Sequence, residues 1–360
     1  MTLILIVILV ALVFEFINGF HDTANSIATV IGTKVLSPRQ AIVLAAITNL
    51  FGALAGTAVA ATVGKGLVDT NYVTSATIIC GLIGGIIWNL ITWRVGLPSS
   101  SSHALMGGLI GAAVASAHTN WSVVIWSAPA ADKPWYAWGG LLYKVILPMF
   151  SSPVIGFVVG WFLMGVLYLA ARNLKPRTVN SVFGRLQLLS AGYMGFSHGS
   201  NDAQKTMGVV ALALFSATKA GGLDGLPGWL HFLRTPKFEI AVWIKIICAL
   251  TMAAGTAAGG WRIIKTLGHK VVRLHPIHGF AAETTAATVL LVAARLGMPV
   301  STTHAISASI MGVGTAKNPK ALKWELVERI IWTWFLTLPA TGGIGYALVR
   351  ISQATGWTPR

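Results

Sequence analysis

Two stretches of small hydroxyl residues carry the chemistry open to this chain. Ser99-Ser100-Ser101-Ser102-His103 follows Gly96-Leu97-Pro98, and Ser301-Thr302-Thr303-His304 follows Gly297-Met298-Pro299. The copies lie 201 residues apart, and an arginine, Arg94 or Arg295, precedes each. Glycine and proline stop a helix. Each stretch therefore reads as the start of a new helix, whose first N–H groups and hydroxyls can hold an anion. Neutral donors of this kind bind a tetrahedral oxyanion and still release it, where clustered arginines would hold it tightly. Small hydroxyl residues also let helices pack closely. That accounts for Ser307 and Ser309, but not for four consecutive serines or their duplicate.

Carboxylates complement the hydroxyls. Of ten acidic residues, Glu15, Asp22, Asp202 and Glu283 fall in or beside apolar runs. An intramembrane carboxylate costs at least about 2.5–3.5 kcal/mol at a helix centre, so it marks an ion path or a relay. Glu15 fits a helix-end residue reaching the interface equally well. Asn18-Gly19-Phe20-His21-Asp22-Thr23-Ala24-Asn25-Ser26 and Ser197-His198-Gly199-Ser200-Asn201-Asp202-Ala203-Gln204-Lys205-Thr206 read as polar breaks in helices. A carboxylate with amide and carbonyl oxygens suits Na⁺ or Mg²⁺. A carboxylate beside histidine suits a proton. Both readings stay open. His21, His103, His198 and His304 orient the tips or carry protons on this reading, and Lys205 pairs with Asp202 or approaches the anion. Glu283 has no counterpart in the first half, where Leu82 stands, and is a candidate for the coupling ion.

The elements that position these residues must lie in a membrane. The 360 residues are 55% hydrophobic and 10% charged, with mean hydropathy +0.72, against about 25% charged for a soluble domain. A β-barrel would show short alternating segments instead. The net charge of +16 would suggest nucleic acid on a soluble protein. Here Lys and Arg fall in short loops, the positive-inside pattern, and no nucleic-acid partner is expected. Cys80 and Cys248 stand alone in apolar runs, which indicates neither a disulfide nor a metal site. The first run, residues 2–20, lacks a basic leader and contains Glu15, so it reads as a retained helix.

The expected fold is an all-α polytopic membrane protein with roughly ten to twelve membrane segments. Segments 104–117 and 304–315 are short and suit the legs of paired helical hairpins. Segment 141–170 carries Pro148 and Pro153, so a bend or two pieces is expected. Residues 1–170 form a first repeat, 171–185 a cytoplasmic connecting loop with Arg172, Lys175, Arg177 and Arg185, and 186–360 a second repeat. The loop at 262–273 is expected to be cytoplasmic and the N-terminus outside, which gives the halves opposite topology, with broken helices around a central site. Two further pairs repeat in order. Gly19–Asp22 matches Gly199–Asp202, and Gly56-Thr57-Ala58 matches Gly255-Thr256-Ala257.

Together with Thr33-Lys34-Val35-Leu36-Ser37-Pro38, these motifs resemble the inorganic phosphate transporter (PiT) family, closest to its bacterial low-affinity members. The resemblance spans nearly the whole chain. It implies a secondary active importer of inorganic phosphate working by alternating access, with phosphate contacts from Asp22, Asn25, Ser101, Ser102, Asp202, Gln204, Thr302 and Thr303. It implies coupling to H⁺ or Na⁺ and no cofactor, and the coupling ion is expected at Asp22, Asp202, Glu283 and Asn49. Sodium-driven relatives commonly have a glutamate where this chain has Asn49. That favours proton coupling, with phosphate carried as a complex with Mg²⁺ or another divalent metal. The implied location is the bacterial inner membrane, in contact with lipid, and the implied assembly is a homodimer. Another oxyanion such as sulfate is the nearest alternative. An intramembrane Ser/His/Asp hydrolase is a second, and the duplication argues against it because a triad needs one asymmetric set of roles.

Overall fold

The computed structural model describes residues 2–357 apart from 133 and 317. The long apolar segments are helical, since in lipid they must satisfy their own backbone groups. α1 (Thr2–Gly32) leads into a bent pair, α2 (Pro38–Leu54) and α3 (Ala58–Lys65). Then come α4 (Ser75–Val95), the short α5 (Ser101–Ser116) and α6 (Leu147–Ala171). The second half repeats that order. α7 (Pro176–Lys219) is followed by the bent pair α8 (Val242–Ala258) and α9 (Trp261–Lys265), then α10 (Pro276–Arg295), the short α11 (Thr302–Thr315) and α12 (Trp324–Ala354).

Among the described residues, four helices are long and apolar enough to cross a membrane: α1, α4, α6 with the π-helical turn Leu142–Ile146 ahead of it, and α10. The number is six if each bent pair counts as one span. That is fewer than the ten to twelve segments expected. α5 and α11 are too short, and α7 and α12 are too poor in strongly apolar residues to qualify alone. The lipid-facing elements expose large apolar side chains, such as Val154, Phe162 and Leu169 of α6 and Leu5 and Leu9 of α1. α5 and α11 are buried nearly end to end.

The halves exchange partners. α1 packs on α8 and α7 on α2, while α5 packs on α12 and α11 on α6. Glycines permit these approaches. A methyl group at Gly19 would sit 2.6 Å from the Met252 carbonyl oxygen, and one at Gly199 would sit 2.2 Å from that of Asn49.

The structure corrects four expectations. The stretches Asn18–Ser26 and Ser197–Thr206 do not break their helices; both lie inside continuous α1 and α7. Neither contains proline, and their polar side chains face protein rather than lipid, so the backbone has no reason to open. Residues 171–185 are not a loop, because α6 ends at Ala171 and Pro176 opens α7 as a first-turn proline. The 262–273 stretch is largely helical, with α9 running into a π-helical turn, Thr266–Lys270. The true breaks fall between α2 and α3, bent by 71°, and between α8 and α9, bent by 59°. Gly259, at φ 72°, thus stands where Gly56 stands in the first half. The Gly56–Gly255 match from sequence was therefore misplaced by one helical turn. Segment 141–170 follows one path, with Pro148 in the first turn of α6 and Pro153 inside it.

Candidate functional site

Each Ser/Thr tip is built the same way. Gly96 and Gly297 end α4 and α10 in the left-handed region, at φ 75° and 64°. A side chain is strained there, which is why glycine occupies both positions. The following residues fold back onto the helix, with Leu97 N–H donating to Thr92 O at 3.0 Å and Met298 N–H to Ala293 O at 2.8 Å. After the proline, Ser100 and Ser301 cap the next helix, each accepting from the N–H of His103 or His304 at 3.1 Å. The caps leave Ser101-Ser102 and Thr302-Thr303 as first-turn residues of α5 and α11. Their N–H groups have no acceptor within the helix, and they sit at its positive end.

The bent pairs hold the tips of the opposite half. Thr62 of α3 donates to Gly297 O at 2.7 Å, and Thr266 beyond α9 donates to Gly96 O at 2.9 Å. The tips also meet each other, with Ser102 Oγ donating to Val300 O at 3.3 Å. Behind them the rings of His103 and His304 lie edge to face, 4.8 Å between centroids, and His304 stacks on Trp334.

Between the tips lies a buried polar cluster from α1 and α7. Asn25 Nδ2 donates to Thr302 Oγ1 at 3.1 Å and to Thr303 Oγ1 at 2.9 Å. Thr302 donates to Asp202 Oδ2 at 3.0 Å. Lys205 Nζ donates to Asp202 Oδ1, to Ser102 Oγ and, at 3.0 Å, to Val300 O. His21 Nδ1 donates to Asp22 Oδ1 at 2.7 Å and lies 3.3 Å from Ser101 Oγ, while its Nε2 faces Thr92 Oγ1 at 3.1 Å. His198 Nε2 lies 3.1 Å from Asp202 Oδ2, within ion-pair range though not aligned as a hydrogen bond. Asp22, His198 and Asp202 each bring one ligand atom to within 4.8 Å of the others, a set that fits a cation. Asp22 Oδ2, Ser26 Oγ, Ser197 Oγ and Asn201 Oδ1 are buried without a hydrogen-bond partner. Leaving such groups unmet costs about 1–3 kcal/mol each, so a polar ligand reaching them would be favoured.

The remaining sequence candidates sit around this cluster. Asn49 bridges outward, 3.0 Å from His198 Nδ1 and donating to Thr256 Oγ1 at 3.2 Å. Gln204 turns to the backbone, accepting from Val59 N–H at 2.9 Å and donating to Ser200 O at 2.6 Å, and so caps the start of α3. Glu283 lies apart, where Thr29 donates to it at 2.5 Å, Gln187 at 3.0 Å and Ser190 at 2.5 Å. Sequence reading missed Thr92, Gln187 and Ser190. They lie on helices other than those of His21 and Glu283, far away in sequence, so only the packing reveals them.

The family model for the phosphate transporter family matches residues 18–345. The probable low-affinity inorganic phosphate transporter of Mycobacterium bovis is 41% identical over 351 residues, covering 97% of this chain and 78% of that protein. The corresponding Bacillus subtilis protein is 39% identical over 345 residues, with 95% of each chain covered. A solved structure described as the sodium-dependent phosphate transporter superposes with a TM-score of 0.77, covering 98% of this chain and 100% of that one; at 23% identity the likeness shows the fold. The duplicated tips, the aspartate-bearing helices between them and a match over nearly the whole length make this chain a transporter rather than an enzyme, a member of the phosphate transporter family.

Proposed function

We propose that the chain imports inorganic phosphate by alternating access. One observation carries the reading: two helix N-termini from different halves converge, through Ser101-Ser102 and Thr302-Thr303, on a cluster holding Asp22, Asn25, Asp202 and Lys205. The hydroxyls and first-turn amides take the phosphate oxygens, and Lys205 supplies one positive charge. The aspartates would repel the anion unless a cation accompanies it. Coupling follows from that need: a proton, Na⁺ or a divalent metal on the Asp22–His198–Asp202 set turns a repulsive site into a receptive one. Asn49 is already engaged by His198 and Thr256, so the set here leans on the aspartates. This favours proton coupling and a metal–phosphate substrate over Na⁺.

Opposite orientation of the halves supports the rocking motion. α1 and α7 occupy equivalent places yet run antiparallel: Glu15 contacts Thr206, Asp22 lies beside Asp202, and Thr33 donates to Gln187 at 2.8 Å. Alternation then swaps which half opens around a fixed site. In a bacterial inner membrane, the basic residues near 172–185 and 262–273 face the cytoplasm and the N-terminus lies outside.

The test is labelled-phosphate uptake into proteoliposomes, with Na⁺, the pH gradient and Mg²⁺ varied independently and sulfate added as competitor. Uptake that needs the pH gradient and Mg²⁺, and that sulfate does not inhibit, is expected. If Asp22→Asn and Asp202→Asn both left uptake intact, the site would lie elsewhere.

A further inference from the structure

Glu15 is a buried carboxylate that the site above does not use. It has no exposed surface. Its Oε2 accepts from Thr206 and, at 3.4 Å, from Asn18 Nδ2, while its Oε1 has no hydrogen-bond partner. Among the described residues it forms no ion pair. The nearest base, Lys205, is spent on Asp202, Ser102 and Val300. The other ionisable groups near it are Asp202 on α7 and the Cys248 thiol on α8. The one charged residue of α4, Arg94, is exposed at the far tip end of that helix. A buried carboxylate without a counter-ion is relieved by a proton or a small cation.

Its place on α1 suggests what that relief is for. Glu15, Asp22 and Thr29 are spaced seven residues apart, two helical turns, on one face of α1. That face meets α7 in reverse order: Thr206 at Glu15, then Asp202 and His198 at Asp22. At the far end, Thr29 donates to Glu283, which also binds Gln187 and Ser190 of α7. The seam therefore carries acidic stations at three levels over about 21 Å of helix, with the aspartates in the middle. Each outer carboxylate accepts a threonine hydroxyl from the opposite half, Glu15 from Thr206 and Glu283 from Thr29.

We propose that Glu15 is a cation-loading site, for a proton or a monovalent cation, on the opposite side of the central aspartates from Glu283. The coupling ion reaches the centre through one of these carboxylates and leaves through the other as the halves rock. The idea rests on the phosphate-transport reading and adds a second cation station to it.

Glu15→Gln and Glu15→Asp, reconstituted in proteoliposomes, test it through two readouts. One is exchange of labelled phosphate across vesicles with equal ion conditions on both sides. The other is uptake driven by an imposed proton or Na⁺ gradient. Glutamine can still accept from Thr206, so a purely structural role predicts normal behaviour in both assays. The expected result is that Glu15→Gln keeps exchange while gradient-driven uptake falls by about tenfold or more, and that Glu15→Asp restores driven uptake. Wild-type driven uptake in Glu15→Gln would overturn the proposal. So would loss of exchange and driven uptake together in both variants. Either result leaves phosphate transport standing, whereas wild-type vesicles that take up no phosphate would remove both readings.

Discussion

Lys205→Met separates the two tasks assigned to that lysine. Its side chain is 3% exposed and pairs with Asp202, which is fully buried. Methionine is similar in length and keeps most of the packing, but it strands Asp202. Removing one partner of a buried ion pair costs about 3–5 kcal/mol. The Thr302 hydroxyl, 3.0 Å from Asp202 Oδ2, and the His198 ring, 3.1 Å from it, remain in place. The expected loss is therefore at the lower end, about 3 kcal/mol. Thermal unfolding of the purified protein in detergent reads this term. The second term is the charge offered to phosphate. A hydrogen bond from a charged donor contributes about 1.5–3 kcal/mol, so half-saturation for phosphate rises by about 10- to 150-fold. The double variant Asp202→Asn/Lys205→Met distinguishes the two terms. With both charges gone, stability returns to within about 1 kcal/mol of wild type while phosphate affinity does not. If the double variant is no more stable than Lys205→Met, the pairing is not what holds Lys205 in place. If Lys205→Met binds phosphate as wild type does, the lysine does not face the anion.

Further outcomes follow from the tips and the packing. Gly297→Ala, at φ 64°, loses about 1–2 kcal/mol from left-handed backbone strain, whereas Gly165→Ala, with nothing within 4 Å of the added methyl, is neutral or slightly stabilising; paired thermal melts compare them. Ser301→Ala removes the cap of α11 and costs about 1 kcal/mol, with a larger effect on phosphate half-saturation than on melting, because the freed tip carries Thr302 and Thr303. Gly312→Ala places a methyl 2.1 Å from the Phe157 carbonyl oxygen, an overpacking cost of about 1–3 kcal/mol, and lowers the yield of folded protein in size-exclusion chromatography. Glu283→Gln keeps one oxygen to accept from Thr29 and Gln187, while its amide donates to the Ser190 hydroxyl, which turns to the Gln187 carbonyl; the charge is lost, so phosphate exchange persists while gradient-driven uptake falls.

The tips were legible in the sequence because every device in them is local. Gly96 and Gly297 stop a helix, proline prevents its return, and Ser100 and Ser301 start the next one; each step acts over a few residues and leaves its own residue type behind. The aspartate stretches were misread for the opposite reason. Polar residues inside an apolar run look like a break when the partner elements are unknown, and α1 and α7 stay continuous because α2, α8 and the tips satisfy those side chains from outside. The real bends, at Gly56 and Gly259, are less conspicuous in sequence than the polar stretches. Their purpose shows only in Thr62 and Thr266, which reach across to Gly297 and Gly96 of the opposite half. That exchange bears on mechanism. A tip held by the bent pair of its own repeat would move with that repeat as one body. Here each tip is tied to the other repeat's bend, so on the proposed mechanism neither half rocks without shifting the tip hydroxyls. If the tips bind phosphate as proposed, two threonine hydroxyls join its contacts to the rocking motion, and Thr62→Val with Thr266→Val should loosen phosphate binding without altering any residue of the proposed site.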